Sequence, residues 1–181
     1  ALLGDRNVHI MSGHTHYNVN DLKGGVYEHN HGTVCGAWWT GPVCGDGTPC
    51  GYGVYTVTGN ELRWYYQSTG KEKDYQFKIY QPDKPGQPKE ILVNIWNYDP
   101  AWKTEYFIDG ISQGALTQTE GFDPLAYATL LGPDLPKPRG FAEPKKTNHL
   151  FKGIINSPGK EVMVIATDRF GQTYKATHQI A

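Results

Sequence analysis

His14 and His16, one residue apart in Ser12-Gly13-His14-Thr15-His16, are the side chains of this chain best suited to chemistry. Imidazole nitrogens offer lone pairs to divalent transition metals. On an extended backbone, side chains at i and i+2 share one side and stand about 7 Å apart at Cα. Gly13 lets the backbone come close to a ligand. The spacing therefore suits metal ligation. A second pair, His29 and His31 in Tyr27-Glu28-His29-Asn30-His31, reads either as a wall of the same site close to substrate or as a solvated polar loop. Trp38 and Trp39 lie in a loop beside the first motif and are further substrate-proximal candidates. Trp96, Trp102 and Tyr98 could stack on sugar rings, but large aromatics on short strands chiefly pack cores.

The elements that must position these residues are mostly strands. The chain has 181 residues, 12 Tyr, 5 Trp, 22 Gly and 12 Pro, the palette of a turn-rich, mainly β protein. Its formal net charge of -1 points to no nucleic-acid or anionic-membrane partner held by bulk charge. No apolar run is long enough to span a bilayer as a helix. Asn7 to Met11 reads as a buried strand leading into the histidine motif. Asn18 to Gly32 reads as a polar loop, and Gly41 to Gly53 as a Gly/Pro-rich one. Tyr52 to Val57 and Glu61 to Gln67 form a hairpin that turns at Thr58-Gly59-Asn60, with Leu62, Trp64 and Tyr66 on one face.

The polar break at residues 68–89 places a boundary near residue 72. Further strands are expected at Tyr75 to Tyr80, Glu90 to Trp96, Glu105 to Gln113 (a hairpin turning at Asp109-Gly110), His149 to Ile155, Glu161 to Thr167 and Gln172 to His178. Asp123-Pro124 is an N-cap and first-turn proline for a short helix, Leu125 to Leu131, stopped by Gly132-Pro133. Residues 133–144 form a proline-studded loop, and Asp83, Asp99, Asp109 and Asp134 read as turn formers. His9, His149 and His178 read as structural histidines within strands. Cys44 and Cys50 flank Gly45-Asp46-Gly47-Thr48-Pro49 and could close a small disulfide loop in an oxidising compartment, leaving Cys35 as the odd thiol.

The strand followed by Gly13, His14 and His16 resembles the closing G-H-x-H motif of the calcineurin-like metallophosphoesterases. Cys35-Gly36-Ala37-Trp38-Trp39, Asp46-Gly47-Thr48-Pro49, Asn94-Ile95-Trp96-Asn97-Tyr98-Asp99, Asp123-Pro124, Asn148-His149 and Asp168-Arg169-Phe170-Gly171 resemble the C-terminal region of a Bacteroides-type subgroup of that family. The resemblance runs over essentially the whole chain. It implies a mainly β fold. Residues 1–72 would be the terminal strands of a phosphoesterase β-sandwich, and residues 73–181 an appended immunoglobulin- or fibronectin-like β-sandwich with one short helix.

It also implies hydrolysis of a phosphate ester by two divalent ions, Mn, Fe or Zn, with His14 and His16 among their ligands. The family's D-x-H, G-D-x-x-D and G-N-H-[DE] motifs do not occur in this sequence. Two imidazoles cannot hold two ions, so the expectation is a C-terminal portion that is catalytically incomplete alone. Its implied partner is the N-terminal phosphoesterase portion, its substrate a phosphate ester, and its location periplasmic or extracellular. A non-catalytic carbohydrate- or protein-binding sandwich is the alternative, and a structural spacer a further one.

Overall fold

The computed structural model describes residues 6–81, 89–131, 142–156 and 158–180. It is mainly β with one helix, as expected. Two four-stranded sheets lie face to face in its C-terminal part. Strands β6 (Phe77–Tyr80), β7 (Glu90–Ile95), β10 (Thr117–Phe122) and β11 (Lys146–Ile154) form one sheet in the order β10-β11-β7-β6. Strands β8 (Lys103–Ile108), β9 (Ile111–Gly114), β12 (Glu161–Thr167) and β13 (Thr173–Gln179) form the other, in the order β13-β12-β8-β9. Side chains alternate across a strand, so every second residue reaches the space between the sheets. Ile91, Val93 and Ile95 of β7 meet Val162, Val164 and Ala166 of β12 there, with Phe77, Tyr106, Phe151 and Tyr174 around them. The pairing of Val162, Val164 and Ala166 with His178, Ala176 and Tyr174 is the register expected from alternation.

The N-terminal part carries a three-stranded sheet, β1 (Val8–Ser12), β3 (Val26–Asn30) and β2 (Val19–Lys23), in which β1 runs parallel to β3. The hairpin of β4 (Gly51–Thr58) and β5 (Glu61–Ser68) packs Trp64 and Tyr66 inward, as their spacing predicts. The stretch from Asn18 to Gly32, expected to be a loop, is instead a hairpin of β2 and β3. Its turn is the two residues Gly24 and Gly25, at φ +58° and +81°. Consecutive positive φ values match the right-handed twist of the flanking strands, and glycine takes them without strain. That Gly-Gly pair was the legible signal. Mixed polarity hid the strands, because β3 alternates Tyr27 and His29 inward against Glu28 outward.

Helix α1 (Pro124–Leu130) begins as expected, with Asp123 Oδ1 accepting from Ala126 N at 2.9 Å. Ala126 and Leu130 pack on Ala37 and Val43, so the helix anchors the loop after His31. The stop at Gly132-Pro133, residues 133–141 of the proline-studded loop, Asp83 and Asp134 lie outside the described residues.

Candidate functional site

β1 ends at Ser12, and residues 14–17 bend rather than extend. His14 and His16 therefore do not share the side of a strand. Both take positive φ, +76° and +57°. Trp38 and Trp39 do the same, at +54° and +60°, and these four are joined only by Asp109 among the non-glycine residues described. A left-handed conformation costs an L-residue on the order of 1–2 kcal/mol, so four of them persist only because their surroundings hold them.

The holding groups can be named. Gly36, itself at φ +59°, turns the chain. Trp38 N donates to Gly36 O at 2.8 Å, Trp39 N to Cys35 O at 3.0 Å, and Ala37 N to Val43 O at 2.9 Å. Trp38 lies flat on the His16 ring, with centroids 4.1 Å apart and planes within 2°, and it meets His14 edge-on at 5.5 Å. The buried His16 ring donates from Nδ1 to Gly36 O at 2.8 Å. Trp38 N also lies 3.3 Å from that nitrogen, but it already donates to the nearer Gly36 O. Nδ1 therefore carries the proton, and Nε2 presents its lone pair. A backbone carbonyl that fixes the tautomer in this way is the usual support of a metal-ligating histidine.

Beneath this turn lies a polar network that residue spacing did not reveal. Asp46, 1% exposed, accepts through Oδ2 from Asn18 N at 2.7 Å, Thr48 Oγ1 at 2.8 Å and His149 Nε2 at 3.0 Å, and through Oδ1 from Thr48 N at 3.0 Å. His149 Nδ1 lies 2.6 Å from Asn94 Oδ1, and Asn94 Nδ2 donates to Asp46 O at 3.0 Å and Asp123 Oδ2 at 2.8 Å. The two ring nitrogens of His149 thus face Asn94 Oδ1 on one side and Asp46 Oδ2 on the other. Gly45 N donates to His16 O at 3.3 Å, so the network grips the backbone of the histidine motif. Asp46, Thr48, Asn94, Asp123 and His149 come from four of the segments that carry the resemblance, and Asn18 from outside them.

His29 and His31 belong to a different cluster. His29, 0% exposed, exchanges a hydrogen bond with His9 at 2.9 Å and stacks on Tyr27 at 4.1 Å, with Trp64 edge-on at 4.6 Å. The Tyr55 hydroxyl bonds to His31 Nε2. Burial, then the charges of His9, His31 and Arg169, pushes the His29 imidazole down to about 3. Burial alone brings His31 to about 4. Arg169, from the turn between β12 and β13, lies over Tyr27 and Trp64 and pairs with Asp99 at 2.8 Å. A cleft of about 390 Å³ opens here, beside His9 and Phe170, at the end of β1 away from the histidine motif.

The disulfide expected between Cys44 and Cys50 is not formed, and all three cysteines are free thiols. The two sulfurs point to different partners. Cys44 Sγ lies 3.4 Å from Thr33 N, and Cys50 Sγ donates to Pro42 O at 3.3 Å. Burial raises both thiols' affinity for their protons.

His14 and His16 fit the role of two imidazole donors, one exposed and one with its tautomer fixed. Among the described residues, no group of three His, Cys, Asp or Glu side chains could enclose an ion. Among the described residues, His29 does not join this pair in a mononuclear site; it lies in the cluster of His9, Tyr27 and Trp64. Among the described residues, no helix is long and apolar enough to cross a membrane. A family model described as the C terminal of calcineurin-like phosphoesterase matches residues 28–174. No curated protein and no solved structure matches.

Proposed function

We propose that this chain, which belongs to the family of calcineurin-like phosphoesterase C-terminal regions, closes the active site of a metal-dependent phosphate-ester hydrolase. In this reading His14 and His16 are two ligands of a centre of two divalent ions, Mn, Fe or Zn. The other ligands come from an N-terminal phosphoesterase portion. The ions supply charge neutralisation and a clamp for the attacking and leaving oxygens of an in-line displacement. This chain's residues do the positioning. Gly36 O and the Trp38 face fix the His16 ring, and residues 45–48 fix the backbone that carries it.

The observation that carries the reading is the His16 ring itself, with Nδ1 donated to a backbone carbonyl and Nε2 free, on a strained turn. The division near residue 72, the immunoglobulin-like character of residues 73–181, the Bacteroides-type origin and an extracytoplasmic location belong to the same reading. The sandwich then braces the phosphoesterase part through Asp46 and His149. The carbohydrate-binding alternative loses the two sandwich tryptophans that suggested it, because Trp96 and Trp102 are buried.

The test joins the chain to its upstream sequence and measures bound metal by mass spectrometry and hydrolysis of p-nitrophenyl phosphate. Weakening a ligand's supports alone costs about 10–100-fold, so His14→Ala and His16→Ala should each lose about 100-fold or more in activity and reduce bound metal. Full metal content and full rate in both variants would sink the reading.

A further inference from the structure

Trp39 has two properties that seldom occur together. It is 78% exposed, more than any other large apolar side chain described, and its backbone is held at φ +60°. An exposed indole on relaxed backbone would carry little meaning. Here the backbone is strained to hold the ring out, and a chain of hydrogen bonds maintains that strain. Trp39 N donates to Cys35 O, Thr40 N to Ala37 O, and Ala37 is itself buried against α1. The ring stands 6.1 Å from the His16 ring and 6.4 Å from that of Trp38, about one ring's width from the imidazole that presents its lone pair.

We propose that Trp39 determines substrate specificity, its indole forming a stacking wall for an ester whose organic group has a flat face, such as an aryl, nucleobase or pyranose ring. This inference rests on the proposed phosphoesterase site and names its substrate class. The phosphoryl group is held at the histidine side, and the organic group lies along the indole. Trp38 lays one face on His16 and is half-buried, whereas Trp39 stands out in solvent. Trp39 is not a metal ligand or a proton carrier, so it acts on binding and leaves the phosphoryl chemistry alone.

The test compares two non-hydrolysed anions that share a headgroup, phenylphosphonate and methylphosphonate. Their dissociation constants are measured by calorimetry on the chain joined to its upstream sequence. Stacking pairs are worth about 0.5–1.5 kcal/mol beyond burial, so the preference for phenyl over methyl should fall about three- to tenfold in Trp39→Ala. It should be largely kept in Trp39→Phe. The methylphosphonate constant should not move. An unchanged phenyl preference, or an equal loss for both anions, would overturn the inference while the hydrolase reading stands. If the parent binds neither anion and hydrolyses no ester, both readings fall together.

Discussion

Replacing His149 by alanine tests whether the buried network is what holds the candidate site. The substitution removes two hydrogen bonds, at 2.6 Å to Asn94 Oδ1 and 3.0 Å to Asp46 Oδ2. Asn94 Oδ1 is then left buried without its donor. The Asp46 carboxyl stays buried at 1% exposure, now answered by Asn18 N, Thr48 N and Thr48 Oγ1. Removing one partner of a buried pair costs about 3–5 kcal/mol, and the three remaining donors place this case near the lower end, about 3 kcal/mol. That is a large share of the 5–15 kcal/mol that stabilises an ordinary domain. Urea unfolding should show a lower midpoint at unchanged slope. Asp46→Asn combined with His149→Ala should cost less than the sum of the single changes, because the double variant leaves no buried carboxyl short of its partner. A loss below about 1 kcal/mol, or strict additivity, would refute the reasoning.

Acid should weaken the N-terminal sheet. His29 and His31 titrate near 3 and 4 in the folded chain, against about 6.5 when unfolded. Below pH 6.5 the unfolded chain takes up protons that the folded one refuses, so the stability present at neutral pH is lost progressively as pH falls toward 4. Two protons give a limiting slope of about 2.7 kcal/mol per pH unit, which urea unfolding at pH 7.5, 5.5 and 4.5 would measure; a flat profile counts against the buried neutral cluster. Gly47→Ala should destabilise by about 3 kcal/mol, since φ is +83° and a Cβ would lie 2.0 Å from Asp123 Cγ, displacing the helix cap. A change under about 1 kcal/mol in the same assay would mean that residues 46–48 can shift freely.

Local patterns revealed most of the sandwich. Alternation found β6, β12 and β13, and Asp-Pro found α1, because each signal lies within a few residues of the structure it causes. The hairpin of β2 and β3 escaped because its inward face is Tyr27 and His29, residues that do not register as apolar until Trp64 and Tyr55 cover them. The histidine motif was legible as chemistry and misread as geometry. Its spacing suggested an extended pair, whereas positive φ at both histidines turns them onto Trp38. Nothing within five residues of His16 announces that turn. It is imposed by Gly36 O and Gly45 N, which arrive from a loop twenty to thirty residues later.

The same reasoning explains why the resemblance extends so far beyond two histidines. A strained turn needs a support that does not yield, and a loop alone yields. Residues 45–48 are made rigid by placing the Asp46 carboxylate between Asn18 N and the His149 ring, while Asn94 ties it to Asp123 and so to the start of α1. The helix then returns Ala126 and Leu130 to Ala37, one residue before the strained tryptophans. The loop from 33 to 50 is therefore clamped at both ends by the sandwich. Residues 149 and 16 are linked by two hydrogen bonds, from His149 Nε2 to Asp46 Oδ2 and from Gly45 N to His16 O. The sandwich thus helps to hold the geometry of His16, alongside the Trp38 face, Gly36 O and Asn30 Nδ2, which donates to Thr15 Oγ1 and to Tyr17 O at 3.2 Å.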